Sequence, residues 1–594
     1  MGSVFFRAGK LKVNECAREI YEAATLTMYN RIGKKGKSYD KKKGSNPMKK
    51  IYSEKRFSSF RELIDSCAQN YKSKTAFRVK HRENEYEDIS FITFKEEYYR
   101  LCSELLSRGL SGARIAVIGK NAYEWILSYL AAATVGVAVP LDKELGNEDI
   151  ESFLSAANCR LVCSDRECIS KIGEAYEILS FSEIRKIAGQ ENAIDESAVK
   201  TRVPRGDEMQ ILIFTSGTTG RSKGVCLSQK NVCANIHSTV SMVKLLTTDR
   251  VLSILPLHHT YECTLDHLTV LSKGGCITYA ESLVKIAKNI GEYSPTILVV
   301  VPELLKTLAR RIKSSIAKDC PKKYQALFHD LTLSEALKKT PFLIRTVIKH
   351  KVRKTLGGKL RLFIVGAADL DTALVDDFAA LGIRTLQGYG LTECAPLLAG
   401  NNDFYFNPKS TGIAIPFVEL KIDAPNSDGV GEILAKGENI MLGYYCDEQA
   451  TKAVMRDGWF CTGDLGRMDP DGALYITGRK KNIIVTENGK NIYPEELETR
   501  IAEFSEVSDV IVVADRTDGK IRIKAKIFPS LDFLREKLGH EPSAEEKERA
   551  IHRVIDLVNG KIPSYKHVHV VEVLTEALEK TTTRKIKRFG TNLT

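Results

Sequence analysis

The stretch ILIFTSGTTGRSKG, residues 211–224, carries the first residues suited to chemistry. An apolar, β-favouring run enters Thr215, Ser216, Gly217, Thr218, Thr219 and Gly220, and Lys223 follows. Glycines let backbone N–H groups turn inward on a curved loop, and hydroxyls add donors. Such a concavity binds anions, and a lysine brings a mobile positive charge to it. A flexible Ser/Thr/Gly turn is the plain alternative, but hydroxyls this dense between a strand and a lysine argue for phosphate. The Walker pattern GxxxxGK[ST] is absent, so P-loop NTPase chemistry does not follow.

Further along, QGYGLTE sets Gly388, Tyr389, Gly390, Thr392 and Glu393 after an apolar strand. A lone glutamate there is usually a cap or a surface charge. Beside a phosphate cradle it can hold Mg²⁺, which takes a carboxylate plus substrate oxygens, and Tyr389 can stack on a base. A second strand ends in Gly366, Ala367 and Ala368. In GWFCTGDLG, Asp464 sits in a tight turn; its carboxylate either accepts from ribose hydroxyls or closes an Asx-turn. Arg479 follows Gly478 and, standing alone, would be an exposed arginine. Lys585 is one of four basic residues in 584–588, and composition does not separate it from its neighbours. No carboxylate–histidine spacing supports a metal reading for His258, His259 and His267.

Elements must position these groups. Candidate strands at 115–118, 161–164, 211–214, 252–255, 277–279, 297–301, 362–365 and 384–387 alternate with helical patterns. That alternation predicts doubly wound parallel α/β layers, with ligands at the carboxyl ends of the strands. Residues 303–359 read as a basic, solvated helical excursion. After 410 the chain turns to short strands with Asp-Gly turns, a β-rich subdomain. From 483 strands at 510–514, 521–527 and 568–573 alternate with helices near 494–504 and 543–558, a smaller α+β domain. The expected division is a basic extension over 1–55, a large domain over 56–478, a hinge at 479–482 and a mobile C-terminal domain over 483–594.

At 594 residues the chain affords more than one domain, and 43% hydrophobic with 27% charged residues is a globular composition. Its 14 cysteines form no CxxC pair, which excludes a zinc ribbon or disulfide framework and suits a reducing compartment. The longest apolar run, 126–141, is short for a membrane span, and no signal sequence is visible, so the expected location is cytoplasmic. Of the net charge of +13, residues 1–50 supply +9. Nucleic-acid binding by the body is therefore not implied, and none is expected. The N-terminal arm, with an amphipathic pattern over 12–30, is a solvated tail or a peripheral contact with anionic lipid.

TSGTTGRSKGV, QGYGLTE, GWFCTGDLG, YITGRKKNIIVTENGKNIYPEELE and KTTTRKIKR, in this order, resemble the motifs of the adenylate-forming superfamily of acyl-CoA synthetases, luciferases and peptide-synthetase adenylation domains. The resemblance runs from about 56 to 590. It is greatest to long-chain fatty acyl-CoA synthetases. LPLHHTYE at 255–262 is similar to their LPLxHxxE, and the segment ending LGGKLRLFIVGAADL resembles the one before their adenine strand.

The resemblance implies two half-reactions: a fatty acid attacks ATP to give acyl-AMP and pyrophosphate, and CoA then displaces AMP. It implies that Thr215–Gly220 and Lys223 hold the β/γ-phosphates, and that Gly366, Ala367 and Ala368 border an adenine on which Tyr389 stacks. Thr392 would bind phosphate and Glu393 would place Mg²⁺. Asp464 and Arg479 would hold the ribose, and Lys585 would stabilise the adenylation transition state through its charge. Lys481 matches the hinge, Gly489 the loop that replaces the lysine loop in the second step, and His259 a residue near the carboxylate and acyl tunnel. Three positions depart from the pattern. Ser222 and Glu579 stand where the family has proline, and Arg584 stands where it has glycine. The alternatives are a ligase that loads an acyl carrier protein, docked by the basic arm, and a nucleotide-binding scaffold without turnover.

Overall fold

The computed structural model describes residues 51–190, 195–202, 207–215, 222–485, 490–516, 521–580 and 586–588. The expectations for the arm over 1–50 lie outside them.

The predicted parallel strands are present, but they divide between two sheets. One runs Gly443–Tyr444, Lys223–Leu227, Ile211–Thr215, Val137–Leu141, Arg114–Ile118, Cys159–Ser164 and Glu177–Ser180. Its last five strands are parallel, and Lys223–Leu227 folds back antiparallel on Ile211–Thr215. The other has nine strands, with Arg384–Gly390, Leu362–Val365, Ile297–Val300, Arg250–Ser253, Cys276–Tyr279 and Thr75–Arg82 parallel in its middle.

The apolar run at 126–141 proves to be two buried elements. Helix Tyr123–Val135 is apolar on all sides and buried almost throughout, and Gly136 separates it from the fully buried strand Val137–Leu141. A helix hydrophobic all round belongs in a core or a membrane. The strand directly after it, pairing in a central sheet, decides for the core. Among the described residues no helix is long and apolar enough to cross a membrane.

The basic segment after 300 forms four helices, Pro302–Asp319, Lys322–Asp330, Leu333–Lys339 and Phe342–Thr355. Pro302, Pro321 and Pro341 punctuate it at helix starts, where a missing N–H costs nothing. It is not a fully solvated excursion. Leu305, Ala309, Ile312, Phe328, Leu337 and Val352 pack with Phe363 and Phe378 in a second core.

Beyond 410 the antiparallel sheet of Val418–Asp423, Gly431–Gly437, Met455–Arg456, Trp459–Met468 and Leu474–Arg479 forms as predicted. The C-terminal region pairs Val507–Asp515, Arg522–Pro529 and Val570–Val573. Helix Ala544–Asn559 covers this sheet. Ser543 and Glu546 form its capping box, and Ile551, Val554, Ile555 and Val558 recur on its buried face.

Candidate active site

Thr215 and Lys223 face each other in register across the hairpin, and the Thr215 hydroxyl donates to the Lys223 carbonyl at 3.3 Å. Residues 215 and 223 thus lie on two paired antiparallel strands, whereas a Walker loop opens a helix. The Lys223 ammonium lies 4.6 Å from the centroid of the Tyr444 ring, a cation–π distance. The Tyr444 hydroxyl donates to Glu393 Oε1 at 3.0 Å. Burial, then Glu393, holds that hydroxyl protonated far above its ordinary range, so it is a donor. One tyrosine thereby ties the phosphate-loop lysine to the expected metal carboxylate.

Glu393 sits on the short turn Thr392–Cys394 that follows strand Arg384–Gly390. Two asparagines fix this turn. Asn235 Nδ2 donates to the carbonyls of Cys394 and Leu397 at 3.2 and 2.9 Å, and Asn439 Nδ2 donates to the same two at 3.0 and 2.9 Å. Both side chains are buried. Asn235 belongs to helix Gln229–Met242, which starts just after the Lys223–Leu227 strand. Four residues earlier on the same face, Asn231 donates to the carbonyls of Glu438 and Ile440. Helix Gln229–Met242 therefore carries the polar contacts that bring 393 and 440 to the phosphate hairpin.

Asp464 and Arg479 are direct partners on neighbouring antiparallel strands, and Arg479 Nε lies 2.8 Å from Asp464 Oδ1. The Tyr389 hydroxyl donates to Asp464 Oδ2 at 2.7 Å. Burial, then the Asp464 charge, keeps that phenol protonated well above its usual range. Asp464 itself is buried at its base, with its backbone N–H on the Thr462 hydroxyl. Glu432 accepts from Gly463 N and pairs with Lys480 at 2.8 Å, which anchors both ends of the Asp464–Arg479 ladder.

Gly366, at the end of strand Leu362–Val365, faces the Tyr261 ring so closely that a side chain there would meet it at 3.2 Å. Tyr261 donates to the carbonyls of Val300 and Ile364. Ala367 holds φ of 75°, left-handed backbone that costs a residue with a Cβ and clusters at functional loops. The His258 and His259 ring centroids lie 4.0 Å apart with the planes tilted by 46°, and burial pushes the His258 imidazole down to about 3, so it is neutral. Asn121 positions this histidine loop: it donates to Ser253 Oγ and the Leu255 carbonyl and accepts from Leu257 N.

Residues 64–445 match the AMP-binding enzyme family. The chain belongs to that family. It is 29% identical over 481 residues to mouse long-chain-fatty-acid–CoA ligase 5, covering 72% of this chain and 69% of the relative. It is 27% identical over 553 residues to indoleacetate–CoA ligase of Aromatoleum aromaticum, covering 89% of this chain and 96% of that one. Its fold matches that of O-succinylbenzoate-CoA synthetase from Bacillus subtilis in complex with ATP and magnesium. The TM-score is 0.67 at 20% identity, over 88% of this chain and 98% of the other.

In this AMP-binding enzyme the structure brings together Lys223, Glu393, Tyr389, Asp464 and Arg479 from the sequence-derived set. Ser216, Gly217, Thr218, Thr219, Gly220, Gly489 and Lys585 lie outside the described residues. Flanking the last of these, Lys580 and Ile586 bridge antiparallel, and Arg588 pairs with Glu495 and Glu498. Lys481 lies in the short turn Lys480–Asn482, where burial, then Arg479 and Arg588, pulls its ammonium down to about 8. Gly390 has a packing reason for its identity: a Cβ would fall 1.9 Å from the Pro396 carbonyl on the return strand. The partners that sequence reasoning missed are Tyr444, Asn235, Asn439, Asn121 and Glu432. Asn231 and Asn235, two amides four apart on one helix face, were the one available signal.

Proposed function

We propose that this protein is an AMP-forming acid–CoA ligase whose substrate is a fatty, long-chain acid. It activates the carboxylate with ATP and Mg²⁺ to acyl-adenylate and then transfers the acyl group to CoA. The observation that carries the reading is the Lys223–Tyr444–Glu393 chain beside the Tyr389–Asp464–Arg479 cluster. One supplies a cation and a carboxylate for phosphate and metal, and the other supplies a carboxylate and guanidinium suited to ribose hydroxyls. The donor set fits Mg²⁺: Glu393 spends one oxygen on Tyr444, and its other oxygen has no partner among the described residues. Mg²⁺ held there with ATP would supply positive charge as the carboxylate displaces pyrophosphate from the α-phosphorus and the adenylyl group transfers. Lys223 attracts the leaving pyrophosphate, Asp464 orients the nucleotide, and Lys585 on its loop meets the charge that develops on the α-phosphate.

The fatty acid is favoured by the mouse relative, and the indoleacetate relative makes an aryl acid the competitor to exclude. Pyrophosphate release should be measured across fatty acids of about six to twenty carbons and indoleacetate, with CoA and acyl carrier protein offered separately. Turnover with long-chain acids and CoA is expected. Turnover only with aryl acids, or only with the carrier protein, would refute the respective half of the reading.

A long-chain acid is met at a membrane, and peripheral contact fits the described surface as well as the basic arm. Helix Phe342–Thr355 opens with Phe342 and Leu343, 68% and 76% exposed, beside Lys338, Lys339 and Arg345. Residues 302–355 carry 14 Lys/Arg against 4 Asp/Glu. Exposed aromatic and aliphatic side chains among lysines suit an anionic lipid surface.

A further inference from the structure

The histidine loop of the candidate site runs into Tyr261–Leu268, a π-helical segment of eight residues. Such segments are rare and recur at functional sites. Closing by i→i+5 bonds, the turn sets residues four and five positions on beside the first. Glu262 and Asp266 are thereby gathered with His267, whose place beside Glu262, five positions on, an α-helical period would not give.

All three side chains are wholly buried. Glu262 Oε1 is held by the Ser253 hydroxyl at 2.7 Å and by Ile254 N at 3.0 Å. Among the described residues, Glu262 Oε2, both Asp266 oxygens and both His267 nitrogens have no hydrogen-bond partner, and the nearest nitrogen–oxygen approach within the group is His267 Nδ1 to Asp266 Oδ2 at 3.5 Å. Tyr279, its ring 5.6 Å from that of His267, adds a buried and unpaired hydroxyl. Buried polar atoms are nearly always satisfied, and five orphans on three adjacent side chains mark a missing partner. One donor atom from each of Glu262, Asp266 and His267 lies within 4.8 Å of the other two.

We propose that Glu262, Asp266 and His267 bind a divalent transition-metal ion, a site distinct from the Mg²⁺ carboxylate at Glu393. Two carboxylates and a 2+ ion sum to zero, so the cluster can stay in the core without net charge. Ligand atoms at about 2.0–2.2 Å from a tetrahedral ion are about 3.4 Å apart. His267 Nδ1 and Asp266 Oδ2 already stand 3.5 Å apart. Imidazole with carboxylates suits Zn²⁺, Mn²⁺ or Fe²⁺, with a water as the fourth ligand, whereas Mg²⁺ prefers six oxygens and keeps several waters. Ser253 and Ile254 orient Glu262 from behind, as second partners of metal ligands do. The role is structural. The ion fixes the turn that carries Tyr261, and Tyr261 braces the ends of the strands at Val300 and Ile364 behind the Gly366 loop.

The test uses the untagged full chain, dialysed after incubation with Zn²⁺, Mn²⁺ or Co²⁺ separately. Elemental analysis should find about one ion per chain for at least one of the three metals. The Co²⁺ form should show visible d–d absorption, and the loaded protein should melt at a higher temperature than the chelator-treated one. Asp266→Asn and His267→Gln should each lose most of the bound ion and the metal-dependent melting shift. Wild-type protein that retains under about a tenth of an ion per chain with all three metals would overturn the proposal, even if the variants do not fold. Folded variants that keep the wild-type metal content would overturn the location.

Discussion

Tyr389→Phe separates two roles that the ring and its hydroxyl could play. The ring, able to stack on a base, is retained. What disappears is the 2.7 Å hydrogen bond to Asp464 Oδ2. Hydrogen bonds to charged groups contribute about 1.5–3 kcal/mol, and here Arg479 still restrains the other carboxylate oxygen, so a loss of about 1–2 kcal/mol is expected. At 1.4 kcal/mol per decade this is about a 5–30-fold fall in kcat/KM for ATP. In an Asp464→Asn background the phenol no longer meets a carboxylate, and the same Tyr389 change should cost under about 0.5 kcal/mol, a coupling near 1 kcal/mol. The assay is pyrophosphate release at varied ATP with saturating acid. Equal costs for Tyr389→Phe in both backgrounds, or an unchanged kcat/KM in the first, would refute the claim that the hydroxyl orients Asp464.

Lys585→Ala should abolish adenylation and spare thiolysis of supplied acyl-adenylate; equal loss of both steps would contradict its assigned role. Lys481, whose folded-state value lies near 8 and below that of an unfolded lysine, disfavours the fold wherever it is charged. That cost is complete below pH 8 and fades as pH rises towards the unfolded value. Lys481→Gln should therefore raise the melting temperature at pH 7 and leave it nearly unchanged at about pH 10. Phe342→Asp with Leu343→Asp should reduce co-sedimentation with anionic vesicles several-fold and leave turnover of a soluble short-chain acid intact; undiminished sedimentation would exclude this helix as the contact.

Much of the α/β architecture could be read directly, because buried parallel strands are continuous apolar runs with nothing else for a sequence to signify. Val137–Leu141 was hidden because helix Tyr123–Val135 ahead of it is equally apolar, and hydrophobicity alone does not mark the change of period. The division into two sheets was also concealed, since strand order is set by crossovers that composition does not encode. In the site, residues that meet ligand were legible through motifs. Those that hold them were not: Tyr444 lies 51 positions from its partner Glu393, and Asn439 lies 45 from Cys394. His267 failed to register beside Glu262 because five positions is a π-helical and not an α-helical spacing, and without it Glu262 and Asp266 read as an ordinary i,i+4 pair.

The two asparagines at the Glu393 turn offer the same pair of donors to the same pair of carbonyls. Such duplication makes the turn tolerant of genetic error. Loss of either amide leaves each carbonyl with one donor, so a scan of single substitutions would score both positions as mild. The combined loss would cost more than the sum of the two. Over evolutionary time one asparagine is then free to drift while the other stands. Related sequences would be expected to keep at least one of the two, with the dependence between the positions visible only in pairs.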